Sequence, residues 1–193
     1  MTGPDNIARA ISVAALITSA VTVWLTLFRR GTVRMTKPAF IAFSYDIVGN
    51  KPKAKIFIRS LLYSTGKRGQ VIENMFITVR RSETQQTFNV WGHGDEKLSR
   101  GSGLFVGETG VVTNHHFNPP SDIDFYPFAP GEYELGIFAA LVDGKAPAKL
   151  CSVNLTVPES ARHDLERPES AIWFDWAPDS NRYHAHIEIK QVG

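Results

Sequence analysis

Pro130-Gly131-Glu132-Tyr133-Glu134-Leu135-Gly136-Ile137-Phe138-Ala139-Ala140-Leu141-Val142, followed by Asp143-Gly144 and by Ala148-Lys149-Leu150-Cys151-Ser152-Val153-Asn154-Leu155-Thr156-Val157, is the stretch on which the fold turns. A Pro-Gly pair opens it, and Asp-Gly supplies the positive-φ residue that a tight hairpin needs. On the returning segment Cys151, Val153, Leu155 and Val157 fall at every second position, so they share one face of an extended strand. Two long strands joined by a short turn predict an antiparallel hairpin.

Upstream, the same grammar repeats. Phe40, Ala42 and the residues to Ile47 read as a first strand, ended by Gly49-Asn50-Lys51-Pro52, and Lys55 to Tyr63 as a second, turned by Ser64 to Gly69. Val71 to Arg81 gives a third, with Met75, Ile77 and Val79 on one face, and Thr87 to Trp91 a fourth. Short apolar runs between turn residues, with no long amphipathic helix among them, predict an all-β fold over residues 39–158. The final hairpin is similar to that of immunoglobulin-like and fibronectin-like β-sandwiches. In that superfamily a Tyr just after a turn, two residues before an inward residue, forms a tyrosine corner, and Tyr133 followed by Leu135 has that spacing. The resemblance implies an immunoglobulin-like antiparallel β-sandwich, and a disulfide-free one, because Cys151 is the sole cysteine. It implies no function, since unrelated roles share this architecture.

Beyond Pro158, residues 159–170 form a polar connector carrying four acids and two arginines. Residues 171–193 then read as a C-terminal β-hairpin, with Ile172 to Trp176 and Tyr183 to Ile189 as its arms. Two strands alone are marginal in water, so this hairpin must rest on the sandwich or on a partner. Trp173, Phe174 and Trp176 are its docking residues, or, if exposed, an interaction patch.

At the other end, residues 1–9 form a short tail, and no ionisable side chain occurs from Ala10 to Phe28. A helix over residues 10–28 is about 28 Å long, close to the hydrocarbon thickness of a bilayer. Arg9 bounds it on one side and Arg29-Arg30 on the other, with Trp24 at the second interface. No small-x-small cleavage site precedes Arg29, so the segment is expected to persist as a single-pass anchor. Ala8, Ser12, Ala15, Ser19, Thr22 and Thr26 recur every three or four residues on one side, a candidate helix-pairing face for self-association.

Arg29, Arg30, Arg34 and Lys37 follow the span in the basic juxtamembrane segment 29–38, against Arg9 alone before it. The positive-inside rule therefore favours a cytoplasmic domain, with a periplasmic one as the alternative suggested by analogy with outward-facing sandwich modules. Residues 29–82 hold twelve Lys or Arg and two acids, whereas residues 83–193 hold eight and sixteen. Such a basic membrane-proximal half suits anionic lipid head groups. Without aromatic interleaving or a known motif it does not suit nucleic acid.

Three constellations bear on chemistry. Gly101 to Phe117 is similar to the strand pair of trypsin-like serine peptidases, which would make His116 a general base and Asp122 or Asp124 its acid. No Gly-x-Ser-Gly follows, and the remaining chain is too short for a second barrel, so the likeness is read as coincidence and the glycines as turn punctuation. His184 and His186 share a strand face at metal-ligand spacing, but no third ligand is evident, and with Glu188 they read as a solvent face. Cys151 reads as a small buried hydrophobe.

The 193 residues suffice for one domain plus an appendage, and 43% hydrophobic against 21% charged residues excludes wholesale disorder. The expectation is a single-pass, bacterial-type membrane protein whose sandwich binds or scaffolds a protein partner, without catalysis and without a cofactor. A degenerate trypsin-like peptidase and a metal-binding periplasmic module are the alternatives.

Overall fold

In the computed structural model the described residues are 3–28, 31–49, 51–101, 103–123 and 126–189. Helix α1 (Pro4–Val23) runs into a π-helical turn at Trp24–Phe28. Thirteen strands are described after it. They are β1 (Val33–Met35), β2 (Phe40–Val48), β3 (Lys51–Ser64), β4 (Gln70–Arg81), β5 (Thr84–Phe88), β6 (Val90–His93) and β7 (Ser99–Arg100), then β8 (Leu104–Val106), β9 (Val111–Asn118), β10 (Gly131–Leu141), β11 (Ala148–Val157), β12 (Ser170–Ala177) and β13 (Arg182–Ile189).

These strands make two antiparallel sheets. The larger runs β13-β12-β2-β3-β9-β6-β7, with β1 also on β3; the smaller runs β11-β10-β4-β5, with β8 also on β4. Side chains alternate across a strand, so each sheet sends every second residue inward. From the larger sheet come Ile41, Phe43, Ile56, Ile58, Phe117, Ile172 and Phe174, and from the smaller Met75, Ile77, Val79, Leu135, Ile137 and Leu155, into one continuous core. Phe43 is its hub, with Phe128, Tyr133 and Phe174 rings at 4.5, 5.4 and 5.1 Å. The fold is thus an antiparallel β-sandwich preceded by one apolar helix.

The β10–β11 hairpin forms as the sequence predicts, Leu135 opposite Val153 and Tyr133 opposite Leu155. The Tyr133 hydroxyl donates to the Ala129 carbonyl at 2.6 Å, tying the start of β10 to the preceding loop. The β2–β3 hairpin turns at Gly49, whose φ of +56° favours a residue without Cβ.

Elsewhere the structure corrects the reading of sequence. The helix begins at Pro4 rather than Ala10, because Pro is suited to a first turn and Asp5 complements the amino-terminal end of the dipole. Thr87 to Trp91 is not one strand: Phe88 ends β5 in the smaller sheet and Val90 begins β6 in the larger, so the chain changes sheet at Asn89. The glycine-rich segment is likewise no hairpin, since β8 pairs with β4 and β9 with β3. Gly110, at φ +75°, passes the chain between the sheets, and a Cβ there would lie 2.6 Å from Leu61 Cδ1.

Part of the basic juxtamembrane segment, Val33 to Met35, is a strand of the sandwich. The polar connector folds as a 3-10 turn at Glu159–Ala161 and a single helical turn α2 (Arg162–Leu165), burying Ala161 and Leu165 in the core. Nor is the C-terminal hairpin a separate unit: β12 pairs with β2, Ile172 opposite Phe43 and Phe174 opposite Ile41, and extends the larger sheet. A row of unpaired backbone groups on β2 is thereby satisfied, which a side-chain docking mode would leave open.

Candidate functional site

The segment Asp5–Phe28 is apolar enough to cross a membrane, with mean hydropathy 2.0, and none of its most apolar stretch is buried against the sandwich. Leu16, Ile17, Trp24 and Phe28 are all exposed. On the face read for helix pairing, the Ser12, Thr22 and Thr26 hydroxyls donate to the carbonyls of Ala8, Thr18 and Thr22, at 2.8–2.9 Å. Their protons are therefore satisfied within the helix, as lipid requires, and what they offer a second helix is small size and acceptor lone pairs. Ala15 and Ser19 lie on the same exposed helix.

Of the interface cations, Arg29 and Arg30 lie outside the described residues. Arg34 is exposed on β1, opposite Tyr63. Lys37 is engaged with the sandwich, its ammonium 3.9 Å from the centre of the Trp176 ring and 3.3 Å from Asn181 Oδ1.

The three aromatics of the C-terminal hairpin divide between two faces. Phe174 points inward and is fully buried, so it belongs to the core and not to an exposed surface. The period of two sends Trp173 outward, where it meets Phe40 at 5.4 Å and Phe57 at 5.8 Å, with Phe40 and Phe57 stacked at 5.5 Å and His116 edge-on to Phe57 at 4.8 Å. Alanines and a serine floor this cluster: a cavity of about 140 Å³ is lined by Ala42, Ser44, Lys55, Phe57, His116, Ala171 and Trp173. Large rings standing around the small Ala42, Ser44 and Ala171 leave a recess between them. Trp173 Nε1 and His116 Nδ1 are both enclosed there with no hydrogen-bond partner among the described residues. Lys55 at the rim pairs with Asp46 at 3.1 Å. Burial, with the Lys55 ammonium nearby, pushes the His116 pKa down to about 4, so the imidazole is neutral at physiological pH. The recess combines apolar walls with an indole N–H, an ammonium and a neutral imidazole, a set able to grip a small side chain carrying an acceptor.

The sequence signal for this recess was the even-numbered face of β2 and the odd-numbered face of β12. What sequence reasoning missed was the partnership of Trp173 with Phe40, Phe57 and His116, which lie on three other strands.

His115, on the opposite face of β9, is completely buried. Trp91 Nε1–H donates to its Nδ1 at 3.3 Å, which leaves the proton on Nε2, and burial pushes its pKa down to about 3. Of the carboxylates that the peptidase comparison would set beside His116, Asp122 is exposed in the loop after β9 and Asp124 lies outside the described residues; His116 Nδ1 makes no hydrogen bond among the described residues.

His184 and His186 project to solvent on β13 together with Asp175 from β12, whose Oδ2 lies 3.1 Å from His186 Nδ1, while His184 Nε2 lies 3.2 Å from the Ser180 hydroxyl. Among the described residues no group of three His, Cys, Asp or Glu side chains is arranged to hold a metal ion. Cys151 is a free, half-buried thiol whose pKa is raised by burial.

No protein-family model and no curated protein matches the chain. Among solved structures, the CooA pilin subunit from enterotoxigenic Escherichia coli is similar over 65% of this chain and 98% of that one, at 9% identity and a TM-score of 0.31. So distant a likeness does not bear on function.

Proposed function

We propose that this protein is a single-pass, membrane-anchored interaction module of bacterial type. An N-terminal helix holds an immunoglobulin-like β-sandwich at a membrane surface, where the sandwich engages a protein partner without catalysis. The observation that carries this reading is the helix itself: Asp5–Phe28 is apolar and its most apolar stretch is unpacked against the sandwich, which suits it to lipid. Burying that much apolar surface in hydrocarbon contributes far more than the few kcal/mol that stabilise a domain. The Tyr133–Ala129 bond supports the immunoglobulin-like assignment, because it reproduces the corner that spacing suggested. The outer-face recess around Trp173 is the surface on which recognition rests.

The positive-inside count favours a cytoplasmic sandwich over a periplasmic one, since Arg34, Lys37 and their two neighbours follow the span and Arg9 alone precedes it.

Alkaline carbonate washing of membranes carrying the full-length protein tests the anchor. The protein is expected to stay with the pellet and to leave it only in detergent, whereas a chain lacking residues 1–30 partitions into the supernatant. Release of the full-length chain by carbonate overturns the reading.

A further inference from the structure

We infer that one end of the sandwich itself, the rim formed by Val71, Phe105 and Val142 with Lys67 and Arg68, lies in the head-group layer of an anionic bilayer. The domain is then a surface-seated module and not a bead on a tether. This rests on the membrane-anchor reading above.

Chain length brings this rim to the membrane. Gly31 follows Phe28 by three residues, so its Cα lies within about 11 Å of the end of the apolar helix. Gly31 does not then lead into a free linker. The neighbouring Thr32 N–H donates to Thr65 Oγ1 at 2.8 Å, the Thr65 N–H donates back to the Thr32 carbonyl at 3.0 Å, and the Gln70 side-chain amide donates to the Gly31 carbonyl. Gly31 and Thr32, three and four residues beyond the helix, are therefore clamped to the loop between β3 and β4.

What surrounds that clamp is apolar where solvent alone would not favour it. Gly31, Arg68, Gly69, Gln70, Val71, Phe105 and Val142 border one concavity of about 370 Å³, with Asp143 also on its edge. Phe105 is 63% and Val142 61% exposed, and Val71 is exposed between them. The three are contiguous: Val71 lies opposite Phe105 in the sheet, and the Val142 N–H donates to the Val71 carbonyl at 3.1 Å. An aromatic ring and two β-branched side chains at a loop rim, next to exposed Lys67 and Arg68, match what an interfacial site requires, apolar groups for the acyl boundary and cations for lipid phosphates.

Charge is arranged to agree. At this end, Arg34 and the loops 65–70, 107–110, 142–147 and 178–181 carry Arg34, Lys67, Arg68 and Lys145 against Glu108, Asp143 and Asp179. At the opposite end, the described residues of the turns and loops 49–51, 82–83, 119–130 and 158–169 carry Lys51, Arg162 and Arg167 against Glu83, Asp122, Glu159, Asp164, Glu166 and Glu169. An anionic surface attracts the first end and repels the second.

The test uses the full-length protein in phosphatidylcholine–phosphatidylglycerol vesicles, on a Cys151→Ser background. Single cysteines are introduced by Leu16→Cys, Phe105→Cys, Val142→Cys or Glu132→Cys, and each carries an environment-sensitive fluorophore. Head-group spin-labelled lipid is expected to quench labels at 105 and 142 about twofold or more over the label at 132, while acyl-chain spin label quenches the label at 16. Labels at 105 and 142 that behave like 132, while 16 remains lipid-quenched, overturn the rim and leave the anchor standing. Loss of lipid quenching at 16 overturns the anchor, and the rim with it. Lys67→Glu combined with Arg68→Glu, both exposed, is expected to reduce quenching at 105 in anionic vesicles and to change little in phosphatidylcholine alone. Equal quenching with and without the charge reversal overturns the anionic specificity.

Discussion

At the scale of single residues, three buried side chains carry separable roles. Tyr133 is 2% exposed and its hydroxyl is spent on the Ala129 carbonyl. Tyr133→Phe keeps the ring against Phe43 and removes one hydrogen bond, so denaturant unfolding should show a loss of about 1 kcal/mol, with an unchanged slope. Leu135 is fully buried; Leu135→Asp places an unpaired carboxylate in the core and should abolish cooperative unfolding, whereas His116→Ala, at a half-buried recess, should leave it in place. His115 sets an acid limit. The unfolded chain binds its proton near pH 6.5 and the folded one only near pH 3, so protons favour unfolding. Stability should be full above about pH 6.5, fall as pH drops toward 3, and flatten below, the drop being on the order of 5 kcal/mol. His115→Asn retains an acceptor for Trp91 and should lower stability at neutral pH while flattening that acid limb, as read by thermal unfolding across the range. An acid limb as steep as in the unsubstituted protein would assign the sensitivity to other groups.

At the scale of elements, β12 and β13 decide whether the larger sheet is complete. Phe174 packs at 5.1 Å from Phe43 and is fully buried, while Trp176, on the opposite strand end, is half-buried beside Tyr183 and Lys37. Phe174→Ala should cost about 3–5 kcal/mol, and Trp176→Ala distinctly less, in the same denaturation experiment. Truncation before Ser170 uncovers the β2 edge together with Ile41 and Phe43, and should yield an aggregating chain in size-exclusion chromatography, not a smaller soluble domain. For α1, leucine in place of Ser12, Ala15, Ser19 and Thr22 should weaken self-association in a transmembrane dimerisation reporter if that face pairs helices, because bulk prevents close backbone approach.

At the scale of the whole molecule, the sandwich has a basic end beside the helix and an acidic end away from it. Each end draws loops from both halves of the sequence, so this polarity is a product of the strand order and not of the charge division along the chain. The cations flanking the span predict a cytoplasmic orientation. A reporter active only in the periplasm, fused after Gly193, should be silent, and one active only in the cytoplasm should be bright; the reverse pattern would put the sandwich outside and remove the positive-inside argument.

Local periodicity sufficed for the β10–β11 hairpin, the inward set Met75, Ile77 and Val79, and the apolar span, since each depends on residues close in sequence and on a period of two or 3.6. That His115 and His116 face opposite ways was legible for the same reason, but that His115 is the buried one was not. It did not reveal that Asn89 carries the chain from one sheet to the other, that Leu104–Val106 and Val111–Asn118 part company, or that the last hairpin joins the first long strand. Nor did it reveal the recess, whose walls come from β2, β3, β9 and β12. The sequence by itself determined the span, the strand class and most inward faces, because those are properties of short windows. Only the tertiary structure decided which strands are neighbours, and so which aromatic, histidine and lysine side chains share a surface, because pairing between distant segments is fixed by the packing of the whole core.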